Sequence, residues 1–269
     1  SSRHMDSQSA QRFLGGVRER LKNELRTDQV SRLMYSTDAS LYQMVPIGVA
    51  FPRDEEDVVH IVRLAAEEKI PVLARGAGTS LAGQTVTSGL VLDFSRHMRR
   101  ILRVDPEKRR VRVEPGVVLD ELNHRLALQS LFFAPDVATA NRATLGGMAG
   151  NNSAGVRSIR YGKTVDHVVG TRLVLVPGEC FEFGQLEPDE LTWLLRGSDR
   201  QAELYRLVRD LAQQLAPEIE RRYPKVLRRV SGYNLDEFTD SSRFNMSKLL
   251  VGSEGTLGMV TELELNLEP

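Results

Sequence analysis

A single cysteine, Cys180, stands among 269 residues. Internal disulfides are excluded, as is any cysteine-ligated metal cluster, and a reducing cytosol is the expected setting. Net charge is missing as well, because 36 lysines and arginines balance 36 aspartates and glutamates. That balance argues against nucleic acid or an anionic membrane as the main partner. No apolar run approaches the ~20 residues that span a bilayer. The expected location is cytoplasmic, at most peripheral to the inner face of a membrane. Ser1–Met5 (SSRHM) has no apolar stretch and reads as an expression remnant, not a signal peptide. His60, His97, His124 and His167 have no partners at metal-ligand or triad spacing, so neither a metal site nor a catalytic residue is expected.

What the chain does have begins at Pro71–Gln84, PVLARGAGTSLAGQ. A short buried strand runs there into a loop almost without side chains. Gly76 and Gly78 let the main chain approach a ligand closely. Thr79 and Ser80 add hydroxyl donors, Gly83 and Gln84 close the run, and successive backbone N–H groups in such a loop can cradle an anion. A phosphate is the expected occupant. The dinucleotide fingerprint fails because Leu81 occupies its third glycine position, and a P-loop fails because no lysine follows.

Around this loop the pattern alternates between helix and strand. A helix is expected near Gln11–Leu25, then an irregular connection to residue 45. Strand Val49–Phe51, helix Asp54–Lys69 and strand Pro71–Ala74 form a β-α-β unit, with acids opening the helix and Lys69 closing it. Leu90–Phe94 reads as a buried strand, Ile101–Val104 and Arg110–Glu114 as a hairpin, and Val118–Gln129 as a helix packed through Leu119, Leu122 and Leu126. Ala134–Gly162 is rich in small residues, with Asn151, Asn152 and Ser153 as polar contacts. Leu145 and Tyr161 mark that stretch as ordered, and Thr144 is expected to cap a short helix whose N-terminus faces an anion. Val168–Val176 and Cys180–Phe183 pair about a turn. Glu187–Arg229 is helical, with Leu204, Leu207, Val208, Leu211 and Leu215 expected in the core. GSEGTLG, Gly252–Gly258, is expected between two apolar strands.

Three stretches, RGAGTSLAGQ (75–84), TLGGMAGNNSAG with RYG (144–162) and SGYNL with GSEGTLGMVTE (231–262), occur in the order of a known family. The chain resembles the FAD-binding domain of FAD-linked oxidases in the vanillyl-alcohol oxidase/p-cresol methylhydroxylase superfamily. Its branch would be that of D-lactate dehydrogenase, glycolate oxidase flavoprotein subunits and D-2-hydroxyglutarate dehydrogenase. The resemblance implies that Arg75, Gly76, Ala77, Gly78, Thr79 and Ser80 hold the FAD diphosphate through backbone amides. It sets Pro135 and Asp136 beside the flavin, and Thr144, Gly146, Gly147, Asn152 and Gly155 along flavin and diphosphate. Gly252, Glu254, Gly255 and Val260 would lie near the adenine half. Ala154 replaces a glycine frequent in relatives, and Met148 an asparagine.

The implied fold is α+β and two-lobed. A small N-terminal β-α-β lobe (46–95) would follow a helical extension (6–45). A larger lobe (96–269) would carry an antiparallel sheet and flanking helices, including 187–229. The implied function is the FAD-binding part of a dehydrogenase or oxidase acting on a small 2-hydroxy acid, with a substrate-binding cap domain expected beyond residue 269. The FAD is expected to be non-covalent, and the electron acceptor is left open. Arg228–Leu235 resembles large dehydrogenases in which an iron–sulfur module follows. Two other readings stand beside it: an FAD-carrying electron-transfer subunit with a separate partner chain, and a reductase of the UDP-N-acetylenolpyruvoylglucosamine type.

Overall fold

A helical crossover between strands produces a parallel sheet, whereas tight turns produce antiparallel ones, and this chain uses each in turn. The computed structural model describes residues 7–240 and 244–269, so the Ser1–Met5 remnant lies outside it. α1 (Ser7–Leu21) leads through a 3-10 turn to β1 (Leu25–Arg26), α2 (Gln29–Met34) and β2 (Gly48–Ala50). α3 (Glu55–Glu68) then crosses to β3 (Val72–Arg75), and β4 (Leu90–Asp93) inserts between β2 and β3. The small sheet has the order β1-β2-β4-β3, parallel except for β1. Asp54 caps α3 by accepting the Asp57 N–H, and Lys69 ends it in the left-handed conformation.

β5 (Ile101–Asp105) and β6 (Arg110–Val113) form the expected hairpin, followed by α4 (Leu119–Ala127), α5 (Leu145–Gly150), α6 (Ser158–Tyr161) and α7 (Thr164–His167). β7 (Val168–Leu175) and β8 (Glu179–Leu186) precede α8 (Pro188–Leu194) and α9 (Arg200–Arg222). A 3-10 turn at Leu235–Phe238, β9 (Phe244–Asn245), α10 (Ser247–Leu250) and β10 (Met259–Asn266) complete the chain. These strands make an antiparallel six-stranded sheet, β5-β6-β10-β7-β8-β9. Glu55 on α3 ties the two sheets together. It accepts Arg172 Nε and Nη2 from β7, both at 2.7 Å, and the Thr261 hydroxyl from β10 at 2.7 Å.

Four expectations need correction. Leu25–Arg26 is a strand paired with β2, and a capped α2 follows it, so residues 22–45 are more ordered than the connection read from the sequence. The helical stretch after Glu187 breaks between Leu194 and Arg200 and ends at Arg222. Within α9 the buried residues are Ala202, Tyr205, Val208, Ala212 and Ile219, whereas Leu207 and Leu211 are 61% and 39% exposed. The face turned inward is set by Tyr205, which packs on Phe183 and Phe244. The closing motif is preceded by α10, not by a strand, because Val251 N bonds back to Ser247 O.

α1 is anchored to α3 by a buried carboxylate. Asp57, whose side chain is fully buried, accepts from Arg20 Nε at 2.7 Å and from Arg53 Nε at 2.7 Å. Burial pushes its carboxyl up, but hydrogen bonds from Arg53 and Arg20 outweigh this and hold it below the ordinary range. A depressed folded value contributes stability above the unfolded pKa and loses it as pH falls through the folded one. Asp57→Asn is therefore expected to cost about 3 kcal/mol at neutral pH. The deficit should shrink only below pH ~4. Urea unfolding of both proteins at pH 7, 4 and 3 checks this, and a deficit independent of pH would refute it.

Candidate functional site

The loop after β3 faces α5 and the turn before β10 across a trough. Arg75, Gly76, Ser80, Gln84 and Thr85 line one wall; Pro115, Thr144, Gly146, Gly147, Gly150 and Asn151 line the other; Ser253, Glu254, Gly255, Gly258 and Val260 close it. A second hollow runs on along Ala77, Gly78, Thr79 and Ser80 toward Val137, Thr139, Met148 and Ser153. The two share Gly76, Ser80, Thr85, Thr144, Gly147 and Asn151, so they form one continuous groove.

The loop's backbone is uncommitted. Among the described residues, none of the N–H groups from Ala77 to Leu81 donates to a protein acceptor. Its shape is held from behind. Arg75, only 9% exposed, donates to Thr37 O at 2.7 Å, Thr85 O at 2.9 Å and Tyr35 O at 3.2 Å. Asp38 accepts the Thr85 hydroxyl at 2.9 Å, and Ala39 N donates to Gly78 O at 3.2 Å. Burial pushes the Asp38 carboxyl up, but bonds from Ser40 and Thr85 keep it below its ordinary value. Burial, with the Asp93 hydrogen bond, raises the Tyr35 phenol.

Two glycines are required by this geometry. A Cβ on Gly76 would strike the Thr144 hydroxyl on the opposite wall. Gly78 has φ +67°, and a Cβ there would meet Arg75 Nη2 at 2.5 Å. A loop with uncommitted amides and no room for a Cβ at Gly76 or Gly78 fits an extended diphosphate cofactor.

The expected anion-binding helix end is not available, however. Thr144 does cap α5, accepting Gly147 N at 3.3 Å, but Leu145 N bonds Val117 O and Gly146 N bonds Pro115 O. The first-turn amides are already spent, so Thr144, Gly146 and Gly147 line the groove without offering a helix-end cradle.

Fourteen of the residues read from sequence as cofactor contacts meet in this groove: Arg75, Gly76, Ala77, Gly78, Thr79, Ser80, Gln84, Thr144, Gly146, Gly147, Asn151, Glu254, Gly255 and Val260. Eight do not line it, and each has another task. Gly83 turns against Tyr42. Pro135 is buried, and Asp136 accepts Arg157 N and Nε at 3.1 and 2.9 Å. Gly155 packs directly on Asp136, and Ala154 bridges to Lys163. Tyr161 packs on Phe132 and gives its carbonyl to His167. Gly252, at φ +85°, docks on α5 through Ala149 O. Asn152 is fully buried and accepts Val165 N at 3.0 Å, leaving Nδ2 without a partner among the described residues.

The sequence reading missed Thr85, Pro115, Val137, Thr139 and Ser253 as lining residues. Thr85 directly extends the TSLAGQ run and could have been included, whereas Pro115 carries no local signal. Across the mouth, Gln84 Nε2 approaches Glu254 Oε1 at 3.4 Å. Packing raises the Glu254 carboxyl above its ordinary value, and the Gln84 contact opposes this only in part. Among the described residues no helix is long and apolar enough to cross a membrane.

Residues 46–184 match the FAD binding domain family. The chain is 38% identical over 262 residues to a D-2-hydroxyglutarate dehydrogenase of Pseudomonas putida, covering 96% of this chain and 26% of that protein. The counterpart in Escherichia coli is 41% identical over 249 residues, covering 90% and 24%. Glycolate oxidase subunit GlcD of Bacillus subtilis is 32% identical over 241 residues, covering 88% and 40%. The chain thus spans about a quarter of the length of the dehydrogenases it matches. The solved structure of an alkyldihydroxyacetonephosphate synthase superposes with a TM-score of 0.67 at 20% identity, covering 96% of this chain and 43% of that one, which establishes a shared fold.

Proposed function

Because the chain belongs to the FAD binding domain family, we propose that it holds FAD non-covalently along the groove and serves the oxidation of a 2-hydroxy acid. The observation that carries this reading is the run of uncommitted amides from Ala77 to Leu81. They suit the diphosphate, with the Ser80 hydroxyl beside them. The flavin half is assigned to the Val137, Thr139 and Ser153 end and the adenine half to Ser253, Gly255 and Val260. Bound FAD would supply the two-electron acceptor, while these residues grip it, orient it and exclude water from its phosphates.

The substrate class rests on the names of the longer relatives, D-2-hydroxyglutarate dehydrogenase and glycolate oxidase subunit. Non-covalent attachment rests on the loop itself. Thr79 stands where superfamily members with linked flavin often carry histidine, and a hydroxyl lacks the ring nitrogen that makes the bond. Cys180 lies near the β7–β8 turn, pairing with Val174, and does not line the groove. Any iron–sulfur centre in a longer protein would need ligands beyond this one cysteine.

Calorimetric titration with FAD and FMN is the test, followed by acid precipitation of the loaded protein. FAD should bind with clear preference, and the yellow colour should stay in the supernatant. Equal affinity for FMN sinks the dinucleotide reading. Flavin fluorescence remaining on the denatured polypeptide sinks the non-covalent one.

A further inference from the structure

The two faces of the small sheet are covered unequally, although a parallel sheet is ordinarily buried on both. On one face α1 and α3 pack through Phe13, Val17, Val58, Ile61 and Val62, all buried. On the other, Val49, Phe51 and Val91 are covered by Tyr35, whose ring meets Phe51 edge-on at 6.2 Å. The cover there is one thin layer, residues 29–47, made of α2 and the turn that follows it.

Hydrogen bonds hold this layer together and fix it to the molecule. Arg32 Nε donates to Pro46 O at 2.6 Å, Met44 N donates to Ser36 O at 2.9 Å, and Thr37 bridges to Gln43. Ile47 N donates to Gly89 O at 2.9 Å, and Ala39 N to Gly78 O.

The outer surface of the layer is apolar. No residue of α2 is buried, and Val30, Leu33 and Met34 recur at i, i+3 and i+4, so one helical face is left to solvent. Val30 and Met34 are 69% and 70% exposed. Leu41 and Tyr42 stand exposed in the turn, and Met44 and Val45 on the return from it. Tyr42 lies against Gly83, and Leu81 of the same glycine loop is exposed beside it. Single exposed leucines are ordinary. Eight large apolar side chains on one layer instead approach the roughly 800 Å² that each partner gives to a stable interface.

Charge narrows the choice of partner. Between Gln29 and Ile47 the charged residues are Arg32 and Asp38, one of each sign. Both are engaged, Arg32 on Pro46 O and Asp38 on the Thr85 hydroxyl. An anionic membrane, or an acidic or basic protein, calls for an excess of one sign, which this layer does not have. A neutral apolar face can meet its own copy across a two-fold axis without bringing like charges together. The second copy also offers the same apolar area from its side.

We propose that two copies of this chain pair through this layer, α2 and the Leu41–Tyr42 turn of each meeting the other across a two-fold axis. The pair gives the second face of the small sheet the depth of cover that α1 and α3 give the first. The glycine loop, through Leu81, then borders the contact. The pairing does not depend on the cofactor reading.

Sedimentation velocity on the 269-residue chain, from ~1 to ~100 μM, is the test. A discrete species of twice the mass of one chain should appear and grow to saturation. Met34→Lys and Leu41→Lys each place a like charge in both halves of the pair, and each should weaken it about tenfold or more. Both side chains are exposed in the single chain, so circular dichroism should be unchanged, and either variant serves if the other does not fold. Trp193→Lys, at an exposed apolar residue of α8, should leave pairing within roughly twofold. A monomer at every concentration overturns the proposal. So does a pair that both layer variants leave intact, or one that Trp193→Lys weakens as much. A ladder of larger species overturns it too, because a two-fold contact closes on itself.

Discussion

Gly78→Val is expected to weaken FAD binding by about a hundredfold or more, roughly 2.7 kcal/mol. Three costs fall on this one position. Its φ of +67° lies in the left-handed region, where an L-residue costs roughly 1–2 kcal/mol and a β-branched one is a clear outlier. The new Cβ would press on Arg75 Nη2, which cannot yield cheaply because its guanidinium is spent on three backbone carbonyls. The remaining side-chain atoms would also stand where the phosphates approach the amides of residues 77–81. Gly78→Ala should fall between the two, since it carries the backbone cost and the Arg75 contact but little of the third. Calorimetry on cofactor-free protein reads both values, with circular dichroism to show that each variant is folded. A loss below about tenfold for the valine variant would mean that the loop is not the phosphate cradle.

The glycine loop after β3 was legible because its signal is local. Glycines and hydroxyls in an unbroken run after a strand describe a backbone-lined site whatever surrounds it. The β5–β6 hairpin, α3 and α4 were legible for the same reason: their periodicity and caps are contained within about a dozen residues. Arg75 shows where that kind of reading stops. From the sequence it is one more loop residue offering an amide, yet its side chain is the post on which the loop stands. Its three acceptors come from residues 35, 37 and 85. The order of the stretch from Leu25 to Val45 has the same origin, since β1 exists only because β2 is beside it.

Two further misjudgements come from treating one element in isolation. The leucines of α9 recur at helical spacing, so a stripe through Leu204, Leu207 and Leu211 looks like the inner face. Tyr205 and Phe238 both pack on Phe244, and this turns the helix so that Val208, expected inside, is joined there by Tyr205 and Ala212, while Leu207 and Leu211 face outward. At α5 the small residues and the Thr144 cap suggested an anion site. The structure spends the same amides on Val117 and Pro115, residues about 30 positions earlier in the chain. The motif places α5 at the groove correctly, but which of its donors are free depends on contacts no local pattern records.

The 269-residue chain saturated with FAD is expected not to oxidise D-lactate, glycolate or D-2-hydroxyglutarate at an enzymatic rate. Removing the hydroxyl proton needs a base within about 2.6–3.2 Å of it, and such a base typically contributes 10²–10⁴-fold. The described histidines do not stand at the groove. His60 contacts Gly16 O at 3.1 Å, His97 contacts Glu24 at 2.8 Å, and His167 is buried against Phe133 with Tyr161 O at 2.6 Å. His124 sits exposed on α4, away from the lining residues. The groove's own titratable side chains, among the described residues, are Arg75 and Glu254. Arg75 is buried behind the loop, and Glu254 faces Gln84 at the closing turn. Dithionite should still reduce the flavin, because that needs no substrate site. Anaerobic bleaching of bound FAD by each acid at high concentration is the measurement. Bleaching within seconds would place a competent base among these residues, and loss of that bleaching in Glu254→Gln would identify it.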